Sequence, residues 1–192
     1  MHDDDVFDLL TAIEETTPIG SKAERFEAMA EEMTPGEHGR ATFLLAAGEH
    51  WQMRQKYDNA RRCFELALGD GGETATEPLA NLLGLALETG DEPQASSLAL
   101  ELRGLVRQGD IGASGCHFIG ETFETHGRLR EAMRWFTIPL SYVDPEDEDD
   151  LDFYCLSGRH RVRRELGLPE DRYDLAAVAA RRRRSQYAGD SH

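Results

Sequence analysis

Apolar residues recur along this chain at spacings of three and four, in stretches separated by Gly, Pro, Asp and Thr. In residues 4–16, Phe7, Leu10 and Ile13 stand about one helical turn apart, behind Asp3 to Asp5, where a helix N-terminus favours negative charge. Pro18 and Gly20 end that helix. Ser21 is placed to cap the next, whose Ala23, Phe26, Ala30 and Met33 form a stripe. Thr34-Pro35-Gly36-Glu37 has the spacing of a capping box, predicting a helix from there to about Met53.

The stretch from Ala41 to Gly72 predicts a helix, a break at Lys56 to Asp58 and a second, antiparallel helix. Leu44, Ala47, Gly48 and Trp51 share one face of the first, and Ala60, Phe64 and Ala67 one face of the second. Glycines 69, 71 and 72 stop it. Leu79, Leu82, Leu83 and Ala86 then face a core, and after a break at Thr89-Gly90-Asp91, capped by Asp91, Ala95, Leu98, Ala99, Leu100 and Leu102 continue it. Beyond a glycine-rich joint at Gly109 to Gly115, Cys116, Ile119, Gly120 and Phe123 repeat the register of Leu44 to Trp51, and Ala132 and Phe136 repeat Ala60 and Phe64. Pro139 falls where the earlier unit has Ala67 and predicts a bent or shortened helix. The linker Asp144 to Asp152 leads to a helix ending in Arg159 to Arg164, and Leu168-Pro169 opens a closing helix packed through Tyr173, Ala176 and Ala180, with a frayed end from Tyr187 to His192.

Ala23, Ala60, Ala95 and Ala132 are spaced by 37, 35 and 37 residues. This period, with the W-x2-L-G-x2-Y and A-x3-F type skeleton, resembles the tetratricopeptide repeat family over residues 37–143. The resemblance implies an all-α, right-handed solenoid of antiparallel helix pairs forming one domain. Its parts are an N-terminal pair (4–35), units at 37–72, 74–109 and 113–143, and a C-terminal capping pair (147–187). The string GRHRVRRELGLPEDRYDLAA (Gly158 to Ala177), with RWFTIPL before it, is also similar to a set of actinobacterial repeat proteins. Some of those carry a cysteine-rich SEC-C zinc motif; this chain has no such cluster, and no zinc site is carried over.

Composition changes the picture in two ways. A hydrophobic fraction of 40% suffices for a continuous core, and 30% charged residues give solvated faces. The formal net charge of −16 is uneven, with 12 basic and 31 acidic residues over 1–150 (−19) against 9 and 6 over 151–192 (+3). An acidic body repels phosphates and anionic membranes and favours cationic partners. Cys63, Cys116 and Cys155 lie far apart without a CxxC, no run approaches the length of a membrane span, and MHDDDVFDLL lacks the features of a signal peptide. A cytoplasmic protein is expected.

In the family, the concave groove is lined by the first helix of each pair. The resemblance places Leu45, Glu49 and Gln52, then Ala80, Gly84 and Leu87, then His117, Glu121 and Glu124 there. The family's Lys and Asn carboxylate clamp is missing from these positions. With Glu88 added, they read as an acidic groove suited to a basic or amphipathic segment. Cys116 and His117 point about 100° apart on a helix and do not share a ligand, so Cys116 is expected in the core. Arg181, Arg182, Arg183 and Arg184 form a basic patch that complements a helix C-terminus and the acidic linker.

No nucleotide-binding, hydrolase or metalloprotease motif occurs. The expectation is therefore a protein–protein interaction scaffold without catalytic activity, cofactor or metal. Two alternatives remain: a nucleic-acid-associated regulator using the arginine run, and a self-assembling structural protein that forms homo-oligomers through its end helices.

Overall fold

The computed structural model describes residues 2–70, 76–147 and 150–189. Among them are ten α-helices, two short 3₁₀ turns and no strand. The chain packs as two compact units, Met1–Leu102 and Arg103–His192. Gly71 and Gly72 of the expected helix stop, Glu148 and Asp149 of the linker, and residues 190–192 of the expected frayed end lie outside the described residues.

The first unit opens with α1 (Asp3–Thr16), whose first turn carries Asp3, Asp4 and Asp5 against the partial positive charge of the helix start. Its buried face is Val6 and Ile13, seven residues apart, so Phe7, expected on that face, is turned to solvent and 68% exposed. A 3₁₀ turn (Ile19–Ser21) leads into α2 (Lys22–Glu31), where Ala23, Phe26 and Ala30 are fully buried, with Met33 buried just beyond. Ser21 makes no side-chain cap bond, contrary to expectation.

The helix predicted from Pro35 to about Met53 forms only from Arg40 onward. The Glu37 carboxylate accepts from the Thr34 N–H at 3.0 Å, as in a capping box, but Gly36 and Gly39 take φ of +81° and +90° and turn the chain. The turn is fixed from a distance. Asp70 accepts the Gly36 N–H at 3.1 Å and pairs with Arg40, whose Nε donates to Ala30 O at 3.0 Å. Consequently α3 spans Arg40–Met53.

The turn after α3 uses Gln55 at φ +56° and a bond from the Lys56 N–H to Trp51 O, and α4 (Tyr57–Gly69) returns along α3. A side chain on Gly48 would overlap the Phe64 ring, so the two helices meet where residue 48 has no Cβ. Next come α5 (Thr76–Thr89) and α6 (Glu92–Gln108). Asp91 caps α6 through the Gln94 N–H at 3.1 Å, while Leu100, expected in the core, is 60% exposed. Packing follows chain order: α1 on α2, α2 on α3, α3 on α4 and α4 on α5, with α3 also touching α5.

The second unit repeats this plan. Helix α7 begins at Ala113, inside the expected glycine joint, and runs to Thr125; α8 spans Leu129–Thr137. Cys116, Ile119, Gly120, Phe123, Ala132, Trp135 and Phe136 are buried. Pro139 ends α8 as expected, and a 3₁₀ turn (Pro139–Tyr142) follows. Helix α9 (Phe153–Glu165) starts at an Asp152 cap, whose side chain accepts the Cys155 N–H at 2.7 Å. Closing the unit, α10 spans Arg172–Gly189 and begins later than Leu168-Pro169 suggests. Tyr173 donates its hydroxyl to Leu140 O at 3.0 Å, and Ala176 and Ala177 are buried while Ala180 is half-buried. Helices α7, α8, α9 and α10 pack in order, with α7 also on α9.

Candidate functional site

The expected groove residues divide between the units and between core and surface. In the first unit Leu45 and Ala80 are 6% and 0% exposed, and Gly84 is buried, so these three belong to the packing between helices. Glu49 is exposed, and Gln52 and Leu87 are half-buried.

The placement of Ala80 and Gly84 has a register cause. Gly48, Gly84, Gly120 and Gly158 all stand at buried positions and are spaced by 36, 36 and 38 residues. Aligned on them, Ala80 matches Leu44 and Cys116 in the core, and Glu88 rather than Leu87 matches Gln52 and Glu124. Glu88 is exposed; its carboxylate accepts from Gln52 Nε2 at 2.6 Å and from the Tyr57 hydroxyl at 3.0 Å. The Glu88 hydrogen bond holds the Tyr57 phenol above its ordinary range. The four-glycine spacing was legible in the sequence and would have given this register.

In the second unit His117 and Glu124 are half-buried and Glu121 is exposed, all on α7. His117 Nε2 lies 3.5 Å from Glu121 Oε1. Glu124 is already engaged: Arg161 of α9 donates from Nε and one terminal nitrogen to its two oxygens, each at 2.6 Å. That hydrogen bonding raises the Arg161 guanidinium further above its usual range. The exposed acid of this face is therefore Glu121.

Aromatic rings adjoin it. His117 lies 5.7 Å from the Phe136 ring and 5.6 Å from Tyr154, and Tyr154 meets Phe153 edge-on at 5.7 Å and 78°. The Arg184 guanidinium is seated on Phe153 at 3.9 Å and lies 5.8 Å from Tyr154. All four arginines of the run are exposed, and Arg181 reaches Ser157 O at 3.5 Å. The basic patch thus lies along α9, and Asp144 of the acidic linker pairs with Arg172 at 3.9 Å.

A second cluster went unread in the sequence. Arg159 donates to both oxygens of Asp171 at 3.0 and 2.6 Å, and Arg163 Nε donates to Asp174 at 2.9 Å. His160 Nδ1 is 3.4 Å from Asp174 Oδ1, and Arg159 stacks 5.0 Å over Tyr173. Arg159, His160 and Asp174 are all buried. Burial alone would push the Asp171 carboxyl up, but the Arg159 hydrogen bonds, the Asp174 N–H and the charges of Arg159 and Arg163 outweigh it and bring it to about 2. This network ties the start of α10 to α9. It also occupies two of the arginines of α9.

The three thiols are buried and free. Burial pushes Cys63 up to about 12 and Cys116 up to about 11, with Glu27 and Asp152 respectively adding to the shift, and burial raises Cys155 as well. Thiolate chemistry at neutral pH is thereby disfavoured at each. Among the described residues no group of three or more His, Cys, Asp or Glu is arranged to hold a metal ion. Within the same residues no helix is long and apolar enough to cross a membrane. No family model matches this chain, and neither a curated protein nor a solved structure proves similar to it.

Proposed function

We propose that this chain is a tetratricopeptide-like stack of helix pairs serving as a non-catalytic scaffold or adaptor for a basic or amphipathic protein segment. One observation carries the reading. Gly48, Ala60 and Phe64 recur as Gly120, Ala132 and Phe136, each 72 residues on, and in both sets the phenyl ring occupies the space that a glycine leaves open. Recurrence of one packing device at twice a period of 36 residues, between stretches otherwise unlike in sequence, is the signature of stacked repeats. Such repeats leave one face of each first helix to solvent. Here those faces present Glu49 and Glu88 in the first unit and Glu121 in the second. Charge of this sign selects cationic side chains and speeds their encounter.

A display library of random helical peptides tests the proposal. Selected peptides are expected to be enriched in Lys and Arg and to lose affinity when Glu49, Glu88 or Glu121 is changed to Lys. Selection of neutral peptides that bind regardless of those substitutions overturns it.

A further inference from the structure

The corner formed by Phe153 and Tyr154 is built like a cation receptor. The two rings meet nearly at right angles, so a planar guanidinium can lie on one face while touching the edge of the other. His117 forms a third wall, and the exposed Glu121 carboxylate stands one helical turn beyond it. Tyr154 remains 58% exposed with Arg184 in place, so the corner is open to solvent and is not part of the core. Its occupant is a side chain of the same unit, from the fourth arginine of a run whose other three members are also exposed.

From this arrangement we propose that the Phe153–Tyr154 corner is the binding site for an arginine of the partner segment, and that Arg184 occupies it as a built-in competitor. The inference rests on the proposed binding of a cationic segment and names where one of its side chains goes. A partner's guanidinium must displace Arg184, which is tethered beside the site and therefore always at high local concentration. An exposed cation–π contact favours the occupied corner over the open one by roughly two- to five-fold. Apparent affinity scales with the open fraction, so removing Arg184 tightens binding by about three- to six-fold.

The experiment titrates the full chain with a capped tetra-arginine peptide by calorimetry at fixed salt. Arg184→Gln is expected to bind about three- to six-fold tighter than the wild type. Arg182→Gln removes the same charge from an exposed neighbour on the same helix and is expected to bind like the wild type. Adding Tyr154→Ala to Arg184→Gln is expected to abolish the gain. Helical circular dichroism checks that each variant is folded. If Arg184→Gln and Arg182→Gln behave alike, the corner is only a brace between α9 and α10 and the inference fails. In that case, peptide binding still weakened by Glu121→Lys leaves the broader reading standing. Absence of any binding in wild type and Arg184→Gln overturns the inference directly; the library selection then decides the broader reading by itself.

Discussion

The two units share one packing device and differ in almost everything around it. Unit 1 carries 7 basic and 21 acidic residues (−14), while unit 2 carries 14 basic and 16 acidic (−2). In the first, Phe64 fills the space opposite Gly48; in the second, Phe136 is held between Gly120 and Gly158, so one ring locks α8 to α7 and to α9. The polar ties differ between the units as well. The first unit uses Arg40 and Asp70 to hold a glycine turn, whereas the second concentrates Arg159, His160, Arg163, Asp171 and Asp174 between its last two helices. The contact that sets helix spacing is thus the same in both units while the polar ties differ, because close packing tolerates little change at a ring seated on glycine and much more at its rim.

Each unit holds one of the two tryptophans, Trp51 and Trp135, so single-tryptophan variants report on each separately. The largest effect should come from emptying the shared device. Phe64→Ala and Phe136→Ala should each cost about 3–5 kcal/mol in urea unfolding, with Phe136→Ala the worse because its cavity borders two glycine-faced helices. Equal losses would mean that the Gly158 contact adds nothing.

Filling the glycines should cost less, about 1–3 kcal/mol. A Cβ on Gly120 would stand 2.5 Å from Phe136 Cε1, and the same ring packs so close to Gly158 that a Cβ there would stand 2.8 Å from it, which leaves the ring little room to retreat. Gly120→Ala is thus expected to destabilise unit 2 more than Gly48→Ala destabilises unit 1, in which the Phe64 ring is seated on Gly48 of α3. The reverse order, read from urea midpoints, would break the comparison.

A smaller difference should appear in acid. The Asp171 carboxyl is lowered from an ordinary 3.8 to about 2 in the folded chain. Its contribution is therefore complete above about pH 5 and disappears as pH falls toward 2. With Trp51→Phe as background, the urea midpoint of unit 2 should drop between about pH 5 and pH 2.5, and Asp171→Asn should flatten that drop. An unchanged slope in the Asp171→Asn variant would remove Asp171 from the network's energetics.

The smallest expected effect is none. At pH 8, iodoacetamide should leave Cys63, Cys116 and Cys155 unmodified in the folded chain and alkylate all three in denaturant, by mass spectrometry. Rapid alkylation confined to Cys116 in native protein would show that α7 opens far more readily than α4.

Local signals were enough to place most helices. Apolar spacing located the pairs around Lys56, Gly90 and Gly127, because a helix must bury one stripe and its ends need residues that stop it. Pro139 shortened α8 for a purely covalent reason, and the alanine period located the second helix of successive pairs. What failed locally was the choice of face in α1, where Phe7 and Val6 are both apolar and only a neighbour decides which is covered. The start of α3 failed for a similar reason: Thr34 and Glu37 form their local bond, but the turn is held by Asp70, more than thirty residues away.

For the candidate site, the sequence determined the chemistry available and the tertiary structure decided its use. Glutamates recurring on first helices, an arginine run and an aromatic pair were all visible as residues. That Glu124 belongs to Arg161, that Arg159 and Arg163 belong to Asp171 and Asp174, and that Arg184 rests on Phe153 could not be read from spacing. A charged side chain takes whichever counter-charge or ring the fold brings within a few ångströms, and that distance is set by packing across helices, not by order along the chain.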